Sequence, residues 1–524
     1  METLKASTPG LAKIKQARKE KGWSVDNSQW LEEASRILGI DWEETGYFAE
    51  GISEGTWKRF LAGKRPIKAE AFKVYSEVLG LEWEELIDHS AIQDWGEAPE
   101  AGVFYGRTEE LATLEQWILK DRCHLVTLLG MGGIGKTALA VKLAESIQEQ
   151  FEYFIWRSLR YSPPLEEILV ELIQFLSNQQ QADIPAGVST RLSRLMDCLR
   201  SHRCLVILDN FEAILWDGES QPETLRHRTG IYLQGYEAYG DFLKRVGESH
   251  HQSAIMVISR EKPQEIAAIE GKSLPIRSLQ LKGLQEEEAQ EILKANGLSG
   301  EEQWKTLIKL YRGNPLALNI VSTTIQELFN SNVPEFLKQN TLVITGLNDI
   351  LDEPFKRLSV LEKQVMYWLA IYRHPILLSQ LQSNILFPVK KSKLIEALQS
   401  LGWRSLIEKS TEPSEVAFTL PPVMMKYVTT HFVEQVCEQL CDGSIELLSS
   451  HALVNPQGGN IQVFPFKPIL SSVKELLITT LRSEQRIREH LKSLLAMLEG
   501  KPALEVGYAK DNLLNLLTEL EQGT

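Results

Sequence analysis

Apolar residues fall into two patterns that separate along the chain. Between residues 120 and 260 they form short unbroken runs: Leu125-Val126-Thr127-Leu128-Leu129, Phe154-Ile155-Trp156-Arg157-Ser158-Leu159, Leu205-Val206-Ile207-Leu208 and Ile255-Met256-Val257-Ile258. Runs of this length without polar alternation predict strands buried on both faces, as in a parallel sheet. The stretch from Ala138 to Ala144 and the one after Pro163-Pro164 have the composition of intervening helices. Elsewhere apolar residues recur at helical spacing. Ile52, Trp57, Phe60 and Leu61 share one face, Gly63 ends that helix, and Ile67, Phe72, Leu79 and Leu81 feed the next. Glu362–Ala370 reads as a core helix, Leu394, Ile395, Leu398 and Leu401 precede a strand at Ser405–Glu408, and Val473–Leu520 reads as helical. The pattern predicts a multidomain α/β plus all-α protein.

Length agrees, since 524 residues exceed what one hydrophobic core organises. No apolar run reaches the 18 or so residues of a membrane span, and the first residues lack the apolar core of a secretion signal. The five cysteines are scattered, and Cys437 and Cys441 have i,i+4 helical spacing without metal-type partners, so reduced thiols in a cytoplasmic protein are expected. A net charge of −14 excludes a protein that coats nucleic acid with its whole surface, so any such contact must be local. Residues 91–100 read as a linker, and the polar, turn-rich residues 216–230 as a surface insertion.

The chemistry concentrates at Gly130-Met131-Gly132-Gly133-Ile134-Gly135-Lys136-Thr137, between a buried strand and a helix. Strand, glycine loop, Lys-Thr and helix make a phosphate-binding loop. Glycines let successive backbone N–H groups curl around phosphate oxygens, and the N-terminus of the helix beginning near Ala138 adds partial positive charge. Lys136 supplies a point charge for the β- and γ-phosphates, and the Thr137 hydroxyl a ligand for Mg²⁺. A buried strand ending in Asp209 supplies the second element of such a site, a carboxylate beside the Mg²⁺ shell. Glu212 is a candidate for polarising water. A bound nucleoside diphosphate or triphosphate, ADP or ATP, with Mg²⁺ is expected.

Five motifs in order, Phe104-Tyr105-Gly106-Arg107, the loop at 130–137, Leu208-Asp209-Asn210, Ser259-Arg260 and Gly313-Asn314-Pro315-Leu316-Ala317-Leu318, resemble the NB-ARC branch of the signal-transducing (STAND) ATPases. Plant disease-resistance proteins and the animal apoptosome protein share it. The wording is most similar to cyanobacterial NB-ARC proteins with an N-terminal helix-turn-helix and a C-terminal WD-repeat propeller, and no repeat of about 40 residues occurs in this chain. The resemblance implies a helix-turn-helix-like domain at 1–90, a P-loop nucleotide-binding domain at 101–280, a helical bundle at 281–345, a winged helix at 346–435 and a helical region at 436–524. It implies that Arg107 approaches the base or nucleotide edge, that Arg260 reports the γ-phosphate, and that Pro315 packs beside adenine. Gly130, Gly132, Gly133, Ile134, Gly135 and Ala138 complete the implied nucleotide contacts.

In function the resemblance implies a switch: closed with ADP, opened by ATP into a self-associating form, with the N-terminal domain as output and a protein effector or sensor as partner. Residues 55–67 are also similar to the helix-turn-helix of phage-repressor-like domains, where Arg59, Lys64 and Arg65 would touch DNA phosphates. A helical adaptor with a solvated basic edge reads equally well, and a nucleotide-modulated transcription regulator is the alternative function. Two departures stand out. The family's histidine lock should fall near Phe418–Val423, where there is no histidine, and an amide at Asn210 replaces a carboxylate. An amide cannot act as a general base, which leaves slow hydrolysis or a role for Glu212.

Overall fold

A computed structural model describes residues 3–24, 28–40, 49, 52–63, 67–86, 92–100, 102–177, 185–216, 230–271, 273–339, 345–386, 389–411, 415–455 and 468–521. The chain divides into two compact units, the first consisting mainly of residues 1–93 and the second holding nearly all the rest.

In the first unit, helices Thr8–Glu20, Gln29–Ile37, Glu54–Ala62 and Ala69–Val78 surround an aromatic core. Trp30 and Trp57 stack with centroids 4.8 Å apart, and Tyr75 meets both edge-on. Strand β1 (Thr3–Leu4) pairs antiparallel with β2 (Ile67–Lys68). The Glu54–Ala62 helix starts where the Ser53 hydroxyl accepts the Thr56 N–H and stops at Gly63, whose φ of 64° suits a residue without Cβ. Arg59 turns back on its own helix, donating to the Gly55 carbonyl, and Lys58 pairs with Glu54. Lys64 and Arg65 lie outside the described residues.

The second unit holds most of a six-stranded sheet of β3 (Ile92–Asp94), β4 (Leu125–Leu129), β5 (Tyr153–Ser158), β6 (Cys204–Asp209), β7 (Ala254–Ser259) and β8 (Ile276–Gln280), in the order β3-β5-β6-β7-β4-β8. The pairs β6–β7, β7–β4 and β4–β8 are parallel. Every residue of β4, β6 and β7 is buried, which is why these strands read as unbroken apolar runs. Parallel order brings the C-terminal ends of β4, β6 and β7, and hence the loops after them, to one edge of the sheet.

Helices Glu286–Ala295, Trp304–Leu310, Pro315–Phe329 and Val333–Lys338 follow. Then come helices Thr345–Lys356 and Val360–Tyr372, strand β9 (Ile376–Leu377), helices Leu378–Asn384 and Lys391–Trp403, and strands β10 (Glu408–Thr411) and β11 (Val416–Thr419). The last three strands form an antiparallel sheet in the order β10-β11-β9. The long helix Pro422–Asp442 leads to helices Ile469–Leu481, Glu484–Met497 and Ala509–Glu521, and one apolar core runs from Leu284 to Leu520. No helix among the described residues is long and apolar enough to cross a membrane.

Three expectations change. The presumed linker contains β3, an edge strand whose Asp94 bonds Arg157 of β5 at 2.7 Å. The strand expected at Ser405–Glu408 begins only at Glu408. Ser405 takes a φ of 58°, and the N–H groups of Ser405 and Leu406 close back on the Gly402 and Leu401 carbonyls, so these residues finish the preceding helix. Most of the presumed insertion, 217–229, lies outside the described residues; its flanks meet through an antiparallel bridge between Leu215 and Tyr232.

Candidate functional site

The loop between β4 and the Lys136–Ile147 helix turns through Gly130, Gly133 and Gly135, which adopt φ values of 157°, 73° and 97°. At Gly133 a Cβ would come within 2.7 Å of the Leu316 Cβ, so a larger residue would push the neighbouring helix away. Lys136 opens its helix and folds back over the loop, its Nζ donating to the carbonyls of Gly130 (2.9 Å) and Met131 (3.1 Å). Thr137 donates its hydroxyl to Asp209 Oδ2 at 3.1 Å, and Asp209 Oδ1 accepts the Asn210 N–H at 2.8 Å. Asn210 takes a φ of 56° and sends its side-chain amide to the Ser158 hydroxyl.

These groups face a cavity of about 230 Å³ lined by Gly132, Gly133, Gly135, Lys136, Thr137, Ala138, Asp209, Asn210, Glu212 and Arg260. Burial pulls the Lys136 ammonium down to about 8, against the nearby Glu212 carboxylate, which favours its charge. Burial pushes the Asp209 carboxyl up to about 6. A desolvated ammonium and a desolvated carboxyl lining one open cavity are the complement of a phosphate and its divalent cation. The donor set fits a Mg²⁺–nucleotide.

Arg260 lies across the cavity mouth, its guanidinium carbon 3.5 Å from where a Cβ on Gly132 would sit. Glu212 grips it twice, accepting the Arg260 backbone N–H at 3.1 Å and pairing with Nε at 3.2 Å. Glu353, on the Thr345–Lys356 helix, takes Nη1 at 2.7 Å.

Four residues expected at the nucleotide, Gly130, Ile134, Arg107 and Pro315, stand outside the lining of this cavity. Arg107 is buried at a φ of 65° and braces the loop from behind, donating to the Ile134 carbonyl at 3.1 Å and pairing with Glu110 at 2.8 Å. Pro315 opens its helix, and the work at that turn is done by Asn314. The Asn314 Oδ1 caps the Ala317 N–H, its Nδ2 donates to the Gly132 carbonyl at 3.0 Å, and the Leu316 N–H reaches the Gly133 carbonyl. Ile134 and Met131 point into a separate apolar cavity of about 70 Å³ with Leu281, Tyr311, Leu351 and Pro421. A proline and apolar walls thus stand where the resemblance places a histidine.

Sequence reading missed a buried charge ladder beside Arg260. Glu261 accepts Arg357 Nε at 2.6 Å and Arg404 Nη2 at 3.1 Å; Glu261 and Arg404 are buried and Arg357 is largely covered. Arg357 also donates to the carbonyls of Glu212 and Leu215, and Arg404 to that of Arg357, with Glu362 3.9 Å beyond. Asn-Pro before a helix could have flagged Asn314 as a cap. Nothing local marks Glu353, Arg357 or Arg404, whose partners lie about 90 to 145 residues away.

Residues 107–228 match the NB-ARC domain. A WD repeat-containing protein of Nostoc sp. is 44% identical over 583 aligned positions, covering 98% of this chain and 45% of that protein, so the chain spans less than half its relative's length. An RPP13-like disease resistance protein of Arabidopsis thaliana is 28% identical over 137 positions, covering 25% of this chain and 16% of that one. Among solved structures, a signal transduction ATPase with numerous domains and a tetratricopeptide repeat sensor, from Pyrococcus horikoshii, matches with a TM-score of 0.32 and 17% identity over 82% of this chain and 60% of that one. The glycine loop at 130–137 and the strand-tip Asp209 both fall inside residues 107–228, the segment that matches the NB-ARC domain.

Proposed function

We propose that this chain is a nucleotide-operated switch whose P-loop domain takes ADP or ATP with Mg²⁺ and whose 346–435 region is a lid. The observation that carries the reading is the single cavity shared by Lys136, Thr137, Asp209 and Arg260. Loop amides and Lys136 would hold the β-phosphate, and Thr137 and Asp209 the Mg²⁺. Bound Mg²⁺–nucleotide supplies the charge that the buried lysine and aspartate lack. Arg260 would answer to a third phosphate, because a guanidinium gives planar, two-pronged recognition.

The helix–strand–helix–helix–strand–strand order at 360–419 supports reading the lid as a winged helix, tied to the P-loop domain through Glu261, Arg357 and Arg404. In this reading ADP stabilises the closed arrangement, ATP shifts the population toward an open form that self-associates, and the N-terminal helical unit is the output. The shift requires each nucleotide to meet different contacts in the two forms, and Arg260 bridging Glu212 and Glu353 supplies such a difference. Replacement of Lys136 by alanine removes the phosphate charge and leaves the apolar packing around the loop intact. Calorimetry is expected to show ADP binding in the wild type and at least tenfold weaker binding, a loss of about 1.4 kcal/mol or more, in Lys136→Ala at unchanged thermal stability. Equal affinities would sink the proposal.

A further inference from the structure

We infer that Glu353 is the residue that makes the closed arrangement discriminate between nucleoside diphosphate and triphosphate. The inference rests on the nucleotide-switch reading and adds to it the group that does the sorting.

Charge accounting at the cavity leads there. Two cations line it, Lys136 and Arg260, and so do two carboxylates, Asp209 and Glu212. Glu353 brings a third carboxylate to Arg260 from the lid side. The guanidinium therefore already carries two negative partners, Glu212 on Nε and Glu353 on Nη1. A diphosphate can be served by the loop amides and Lys136. A further phosphate near Arg260 meets a cation whose charge is spent, with two carboxylates beside it, and like charges in such proximity disfavour one another. Departure of one of those carboxylates lowers the negative charge beside Arg260 and frees donors for the new anion. Glu212 is held within the P-loop domain by the Arg260 backbone N–H. Beyond Arg260, Glu353 feels the more distant attraction of Arg357, and its side chain is 57% exposed, so it is the partner that yields more readily.

Yielding has a direction built into it. Arg260 and Glu261 are neighbours at the end of β7, while Glu353 and Arg357 lie one helical turn apart at the end of the Thr345–Lys356 helix. Two crossed ion pairs result, Arg260 with Glu353 and Glu261 with Arg357. Drawing Arg260 toward an anion in the cavity breaks the outer, hydrated pair and leaves the lid on the inner ties that Glu261 makes with Arg357 and Arg404. Glu353 is thus the point at which the lid reads the charge in the cavity.

The test compares dissociation constants for ADP and for a non-hydrolysable ATP analogue, both with Mg²⁺, in wild type, Glu353→Gln and Glu353→Asp full-length protein. The wild type is expected to prefer ADP. Glu353→Gln should tighten the triphosphate about two- to fivefold, the scale of a partly exposed ion pair, with ADP affinity unchanged. Glu353→Asp should keep the wild-type ratio. Light scattering gives a second readout, since Glu353→Gln should reach its higher-mass form at lower analogue concentration. A ratio unchanged in Glu353→Gln, or affinities for both nucleotides shifted equally, overturns the role of Glu353 while nucleotide binding stands. A wild type that binds neither nucleotide overturns the switch reading itself, and this inference with it.

Discussion

Lys136 and Asp209 each hold a charge that burial opposes, and this makes the free site expectant. The ammonium sits near 8 and the carboxyl near 6, so between those values both are mostly ionised. An anionic ligand favours the lysine's proton, so above pH 8 binding must take up a proton and affinity falls as pH rises, by up to about tenfold per unit. A divalent cation favours loss of the aspartate's proton, so below pH 6 binding must expel one and affinity falls as pH falls. Calorimetry with Mg²⁺–ADP across pH 5 to 10 should therefore show a plateau with two arms, the lower one much reduced in Asp209→Asn. Affinity that is flat from pH 7 to 10 would mean that Lys136 is fully charged in the free protein. At this scale the sequence was legible in placement: Lys136, Thr137, Asp209, Glu212 and Arg260, singled out from local motifs, line one cavity. The bond from Arg107 to the Ile134 carbonyl was not legible, because its partner is 27 residues away on the loop.

At the scale of elements, strands declared themselves because burial on both faces leaves no polar positions, so β4, β6 and β7 fell within a residue or two of their expected places. The strand near Ser405 was misplaced because a left-handed residue extended the end of a helix, and apolar Leu406 and Ile407 are buried in that turn without being strand. The Pro315–Phe329 helix shows what an element boundary can do beyond ending an element. Its cap, Asn314, uses Oδ1 for its own helix and Nδ2 for the phosphate loop, so helix start and loop conformation are one structure. Asn314→Ala should cost about 1 kcal/mol of stability, as for a lost helix cap, and weaken ADP. Asn314→Asp keeps the cap but turns an acceptor toward the Gly132 carbonyl, so it should restore stability and leave nucleotide affinity low. Separating those two readouts, melting and calorimetry, tests whether the helical bundle shapes the loop. Full recovery of both in Asn314→Asp would show that it does not.

For the whole molecule, the order of motifs was readable and the ties between distant segments were not, since Glu261, Arg357 and Arg404 look like ordinary surface charges until the fold buries them together. That ladder has a consequence in time. Buried ion pairs return their hydration energy once separated and wetted, so they add little to an equilibrium between closed and open forms. Midway, with the pairs broken and water not yet admitted, nothing compensates the three charges. In the proposed switch, the ladder would therefore govern how long the closed form lasts far more than how much of it there is. Replacing Glu261, Arg357 and Arg404 together with apolar residues of similar volume should leave the closed fraction in ADP equal or larger, yet speed the rise in light scattering after mixing with excess ATP by about tenfold or more, a barrier change of about 1.4 kcal/mol. An unchanged rate would show that the ladder is crossed without cost. In the proposed switch, an intact ladder would let a brief pulse of ATP pass unnoticed and only sustained exposure register, as in a filter against noise.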